Sequence, residues 1–257
     1  KNIIIFEKTE DLINSKLVDC IFVAAEPKTN LGVVRLLSEH KYPLILEKPL
    51  SDTFLNSKEI MQICKNEDRI IIPNLTNVFS EIYSHLDKFV QENINQIKRI
   101  IIVEGDNGPI RNYVNPVWDW GFHPLSVINS LFYQNEISNI NKYDLKINKI
   151  ENKQIVSLFS MRIDNQINTK IITGNFFKKK IRKLKIIMKN NDIYLSDFLR
   201  HEIYLNDRLL FKNKKTPLES LLGKFNSIIN QNDKNTCIKL IDISCKTIEI
   251  LEKFNKC

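Results

Sequence analysis

The first seventy or so residues alternate short β-rich runs with helical segments, and that order constrains the chain more than any other feature. Parallel strands must be joined by a crossover, which a helix supplies, so this alternation points to a parallel sheet covered by helices. Asn2–Phe6, Val18–Ala25, Tyr42–Leu46 and Arg69–Ile72 read as strands, the second and fourth of the buried type and the last closed by Pro73. Between them, Glu10–Ser15, Asn30–His40 and Ser57–Asn66 read as helical, the last through Ile60, Met61, Ile63 and Cys64. Ligands of such sheets lie outside the carboxyl ends of the strands. Ala24–Pro27, Glu47–Pro49 and Pro73–Asn77 are three such ends, expected to face one crevice.

Beyond Phe79 the pattern changes. A helix to about Glu92 is followed by a strand at Ile97–Glu104, a loop rich in Gly, Asn and Pro, and a helix at Pro124–Phe132. Strand-like segments then run from about Tyr143 to Phe211, with turns at Asp164-Asn165, Asn190-Asn191 and Asn206-Asp207. Thr216-Pro217-Leu218-Glu219 is a capping box with proline at the first helical position, and Thr236–Phe254 has long amphipathic periodicity. The expected class is α/β: a partial Rossmann-type parallel sheet in residues 1–78, then an α+β domain in 79–257 with an open, mostly antiparallel sheet and C-terminal helices. The sheet is called partial because none of the six glycines forms a G-x-G pair, so the phosphate-cradling turn of a complete dinucleotide fold is missing. With Lys1 standing where methionine would open a gene, an N-terminal β-α-β portion is expected to have been lost.

With 257 residues, 43% hydrophobic and 26% charged, the chain can bury a substantial core, preferably as two lobes. No apolar run approaches the roughly 20 residues that span a bilayer, and no signal peptide is visible. Five cysteines (20, 64, 237, 245 and 257) lack C-x-x-C or Cys/His ligand spacing, which points to a reduced, cytoplasmic protein without a structural metal. The formal charge of +8 is spread along the whole chain and reads as a compositional habit, not as the mark of a nucleic-acid or membrane partner. The densest basic stretch, Lys178–Lys185, has no aromatic platform beyond Phe176 and Phe177. A solvated strand with Arg182 and Ile181 on opposite faces is expected there.

Two segments carry chemistry. Glu47-Lys48-Pro49 follows a buried strand, and Trp118-Asp119-Trp120-Gly121-Phe122-His123 sets an acid and an imidazole four residues apart. Together with Val18–Pro27 and Pro73–Phe79, they make the chain resemble the glucose-fructose oxidoreductase/inositol dehydrogenase (Gfo/Idh/MocA) family from about Ile3 to the C-terminus. Glu26 replaces the family's usual threonine, Asn30 stands where histidine is common, and the usual arginine near Asn77 is absent.

The resemblance implies an oxidoreductase that uses NAD or NADP to move hydride to or from a hydroxyl or keto carbon of a sugar, sugar nucleotide or cyclitol, in a homo-oligomer. Some relatives use the cofactor for transient oxidation during glycoside cleavage. Ala25, Glu26, Pro27, Asn30, Glu47, Lys48, Pro49 and Asn74 would line the cofactor side. Lys48 would stabilise a developing alkoxide, His123 would act as general base, and Asp119 would orient it or bind a neighbouring hydroxyl. Trp118, Trp120 and Tyr113 offer faces for a sugar or nicotinamide and are equally suited to packing. The Lys48-Pro49 bond is a candidate cis peptide. The alternative is a catalytically silent binding or scaffold protein of the same fold, motivated by the missing cradle. The ordinary readings are a surface lysine for Lys48 and a residue at a helix start for His123, while His40, His85 and His201 are expected to be structural or exposed.

Overall fold

Three short strands, β1 (Ile21–Val23), β2 (Leu44–Leu46) and β3 (Ile71–Pro73), form a parallel sheet in that order. Leu44, Ile45, Leu46, Ile71 and Ile72 are essentially inaccessible, as expected of strands covered on both faces. The computed structural model describes residues 3–109, 111, 114–148 and 154–254. The chain divides into two compact units, Lys1–Asn74 with Phe225–Cys245 and Leu75–Lys224 with Lys246–Cys257.

In the first unit, α1 (Thr9–Ser15) precedes β1, α2 (Pro27–Leu36) and a 3-10 turn (Ser38–His40) join β1 to β2, and α3 (Phe54–Asn66) joins β2 to β3. The side chain of Thr53 caps α3 by accepting from Asn56 N–H at 3.2 Å. Two strand expectations fail here. Ile3–Phe6 forms no strand, and Ile3, Ile4 and Ile5 are exposed. An apolar run becomes a strand only where a sheet edge receives its backbone bonds. The expected Val18–Ala25 strand shrinks to Ile21–Val23 with Phe22 exposed, and β1 has one strand neighbour among the described residues. Cys64 and Cys237 are buried, and burial pushes the Cys237 thiol up to about 12.

The second unit holds an eight-stranded sheet, order β11-β10-β9-β8-β4-β7-β6-β5. Its strands are β4 (Ile97–Asn107), β5 (Ile137–Asn148), β6 (Gln154–Ile163), β7 (Ile167–Gly174), β8 (Phe176–Met188), β9 (Ile193–Asp197), β10 (Glu202–Leu205) and β11 (Arg208–Lys212). Every pairing is antiparallel except β4 with β7. The expected turns are present. Asp164-Asn165 and Asn206-Asp207 are left-handed at both residues, a conformation Asn and Asp tolerate through local hydrogen bonds. Helices α4 (Glu81–Asn93) and α5 (Pro116–Leu131) lie against one face, shown by the stacked Phe89 and Tyr194 rings and by the approach of Gly121 to Thr173. Glu104, Arg182 and Ser196 are on that face, while Val103, Lys183 and Asp197 are on the other, since strand residues alternate.

Two more corrections belong to this unit. The helix expected from Pro124 begins at Pro116, where Asn115 Oδ1 accepts from Val117 N–H at 2.8 Å and proline takes the first turn. Pro124 is therefore inside the helix, and His123 is mid-helix and not at its start. In the basic strand, Arg182 turns from the solvent to a buried acid: its Nε is 2.7 Å from Oε1 of Glu104, a side chain 2% exposed.

Helices α6 (Pro217–Gln231) and α7 (Lys234–Lys253) close the chain. The capping box is formed: Glu219 Oε2 accepts from Thr216 N–H at 2.7 Å, and Thr216 Oγ1 accepts from Glu219 N–H at 3.2 Å. No helix among the described residues is long and apolar enough to cross a membrane.

Candidate functional site

β2 is the central strand of the parallel sheet, so the segment leaving its carboxyl end is gripped from both sides. Glu47 N–H donates to Val23 O at 2.9 Å, and Asn74 N–H donates to Leu46 O at 2.7 Å. The Glu47 carboxylate accepts from Asn74 Nδ2 at 2.7 Å through Oε1 and from Lys48 N–H at 3.2 Å through Oε2. Asn30, fully buried on α2, points its amide at the same turn, with Nδ2 at 3.3 Å from Glu47 O and 3.1 Å from Leu50 O. The Lys48-Pro49 bond is cis. Lys48 thus leaves a turn whose backbone is held by three neighbouring segments, and its side chain is half-buried. Ala24, Ala25 and Glu26 are exposed at the end of β1, Pro27 opens α2, and Glu26 pairs with Lys28 at 2.7 Å.

In the second unit the expected acid and imidazole share helix α5. Asp119 and His123, one turn apart, lie on the same side of it. The structure adds a partner that the sequence did not suggest: Arg111 Nη1 lies 3.0 and 2.8 Å from the two Asp119 oxygens, and the carboxylate is only 11% exposed. Arg111 sits in a loop eight residues upstream, where no periodicity marks a contact. Trp118 is buried, and its indole N–H has no acceptor among the described residues, which is the packing alternative. Trp120 is half-buried, with its N–H likewise enclosed. Tyr113 lies outside the described residues. The His85 ring packs tilted against Phe211, and His40 stacks on Tyr42.

Comparison with known proteins gives this geometry its context. The model of the GFO_IDH_MocA oxidoreductase family, NAD-binding Rossmann fold, matches residues 2–75. The match is confined to these residues, and the rest of the chain carries no family match. No curated protein matches the chain. Solved structures of the same fold include UDP-N-acetylglucosamine 3-dehydrogenase GnnA from Acidithiobacillus ferrooxidans, at 12% identity and TM-score 0.77 over 97% of this chain and 83% of that one. An inositol dehydrogenase homolog from Azotobacter vinelandii, solved with NAD+, aligns at 10% identity and TM-score 0.78 over 95% and 77%. The dehydrogenase MviM from Clostridium difficile aligns at 20% identity and TM-score 0.71 over 95% and 82%.

The segment that matches this NAD-binding model fits part of a dinucleotide. The exposed, small Ala24 and Ala25 at a strand end admit close approach, and Lys48 supplies a cation beside an anchored turn. No G-x-G turn in this sequence offers a cradle for the pyrophosphate.

Proposed function

We propose that the chain works as an NAD(P)-dependent dehydrogenase or reductase on the CH–OH or keto carbon of a sugar, sugar nucleotide or cyclitol, and that it self-associates. The observation that carries this reading is Lys48 at the end of the central strand, with its turn braced by Glu47, Asn74 and Asn30. The other supports are the NAD-binding family of residues 2–75 and the sugar and inositol enzymes among the solved structures of this fold.

When bound, the nicotinamide supplies the hydride acceptor or donor. Ala25, Glu26 and Pro27 would line it, while Asn30, Glu47, Pro49 and Asn74 set the turn from which Lys48 extends. On the second unit, the imidazole of His123 would take the proton of a substrate hydroxyl, a role suited to a base whose ordinary pKa lies near neutrality. On the first unit, the Lys48 ammonium would stabilise negative charge developing on a substrate oxygen. Asp119, held by Arg111, would accept from an adjacent substrate hydroxyl or fix the imidazole, and Trp120 would wall the substrate side.

The test is NADH formation with a panel of hexoses, inositols and nucleotide sugars, on the wild type and on Lys48→Ala, with NAD(H) and NADP(H) titrated by calorimetry. Loss of a donor aimed at the reacting oxygen lowers kcat about 10²–10³-fold, with circular dichroism unchanged. Wild-type turnover in Lys48→Ala overturns the assignment, and absence of cofactor binding turns it toward a silent scaffold.

A further inference from the structure

On the face of the eight-stranded sheet opposite α5, a cavity of about 280 Å³ opens beside the start of β8 and the end of β9. Lys179, Lys180, Lys183 and Arg200 line it, against a single carboxylate, Asp197. Asp197 is nearly inaccessible and firmly placed, with its Oδ1 accepting from the N–H groups of Leu199 and Arg200, each at 3.1 Å. Its other oxygen is 3.2 Å from Lys183 Nζ and 4.0 Å from Arg200 Nε, so two of the four cations are held at the cavity wall. Lys179 and Lys180 are exposed and have no acidic partner among the described residues.

We infer that this cavity is an anion site for a phosphate or diphosphate group on a small soluble molecule. Four cationic residues line the cavity against one carboxylate, and only Lys183 and Arg200 are paired with it, so the lining carries an excess of positive charge. Like charges repel, and a multiply charged anion relieves that repulsion with charge-assisted hydrogen bonds. Asp197 takes the structural part: it orients Lys183 and Arg200 while leaving the excess in place. The lining decides between ligand classes. Ile181 and Leu199 are its apolar members and it has no aromatic side chain, so it lacks the stacking platforms of a single-stranded nucleic-acid groove. It is also a concavity and not a flat basic stripe, which suits a compact anion better than a polymer backbone or a lipid surface. The site stands apart from Asp119 and His123, which are carried by the helix on the other face.

The probe is inorganic pyrophosphate, titrated calorimetrically into the whole chain and into Lys179→Gln/Lys180→Gln, Arg200→Gln and Lys224→Gln, the last an exposed lysine outside the cavity. One saturable site is expected. It should weaken about tenfold or more when a charge-assisted contact is lost, and stay unchanged in Lys224→Gln. Absence of saturable binding, or equal weakening in Lys224→Gln, overturns the proposal. Parallel titrations with an oligothymidylate and with vesicles containing phosphatidylserine separate the sources. Tighter binding of either, abolished by the same substitutions, assigns the surface to a polymer or a membrane and refutes a small-ligand site.

Discussion

Replacing Arg182 by leucine should be among the most damaging changes available in the second unit. Glu104 is 1% exposed in the centre of the sheet, on the face covered by α4 and α5. Its carboxylate is compensated by Arg182 at 2.7 Å and by Asn77, whose Nδ2 lies 3.5 Å from Oε2, while Asn77 Oδ1 accepts from Arg182 Nη1 at 3.1 Å. Removing one partner of a buried pair costs about 3–5 kcal/mol, because the remaining charge stays desolvated. Glu104→Leu should cost less, since Arg182 keeps 19% exposure and can reach water. The double substitution Glu104→Leu/Arg182→Leu should recover part of the loss, because two apolar side chains leave no buried charge.

Urea unfolding followed by tryptophan fluorescence reads this unit directly, for both tryptophans of the sequence, Trp118 and Trp120, are on α5. With an m-value of about 2 kcal/mol/M, the midpoint of Arg182→Leu should fall by about 1.5–2.5 M. A loss under about 1 kcal/mol, or a double variant as unstable as the sum of the two singles, would refute the argument that an uncompensated buried carboxylate dominates.

Two further outcomes can be checked on the same protein. Ser80→Ala removes the hydroxyl that accepts from Tyr83 N–H at 3.1 Å at the start of α4, and should cost about 1 kcal/mol by the same unfolding measurement. Glu219 is held below the usual carboxylate range by the Thr216 N–H first and its hydroxyl second. Its folded pKa is depressed, so the cap is intact above the ordinary Glu range near 4.3 and is lost as pH falls through the folded value. Amide exchange at Thr216 should therefore accelerate on acidification and become independent of pH, beyond the intrinsic rate, in Glu219→Ala.

Much of the framework was legible in the residues. Apolar runs at Tyr42–Leu46 and Arg69–Ile72 located β2 and β3, Asn and Asp pairs located the hairpin turns, and Thr216 with Glu219 located α6. These are local signals, written in neighbours close in sequence. The errors have the opposite character. Ile3–Phe6 has strand composition and no ladder, and β1, with one strand neighbour among the described residues, is shorter than its apolar run. Pro124, a sensible helix start by composition, is overruled by Asn115 and Pro116 upstream.

What the sequence by itself determined is the class of the chain: a parallel segment of alternating strands and helices with Lys48 after one of its strands, followed by a mostly antiparallel sheet and terminal helices. Hydrophobic periodicity and turn chemistry dictate those elements, and both act over a few residues. Only the tertiary structure decided which side chains compensate one another. Glu47 with Asn74, Glu104 with Arg182, Asp119 with Arg111, and Asp197 with Lys183 and Arg200 are set by strand register and loop path. A charge in sequence carries no record of its partner. The partner is selected by the cost of leaving a polar group buried and unpaired, and that cost arises only once the chain has folded around it.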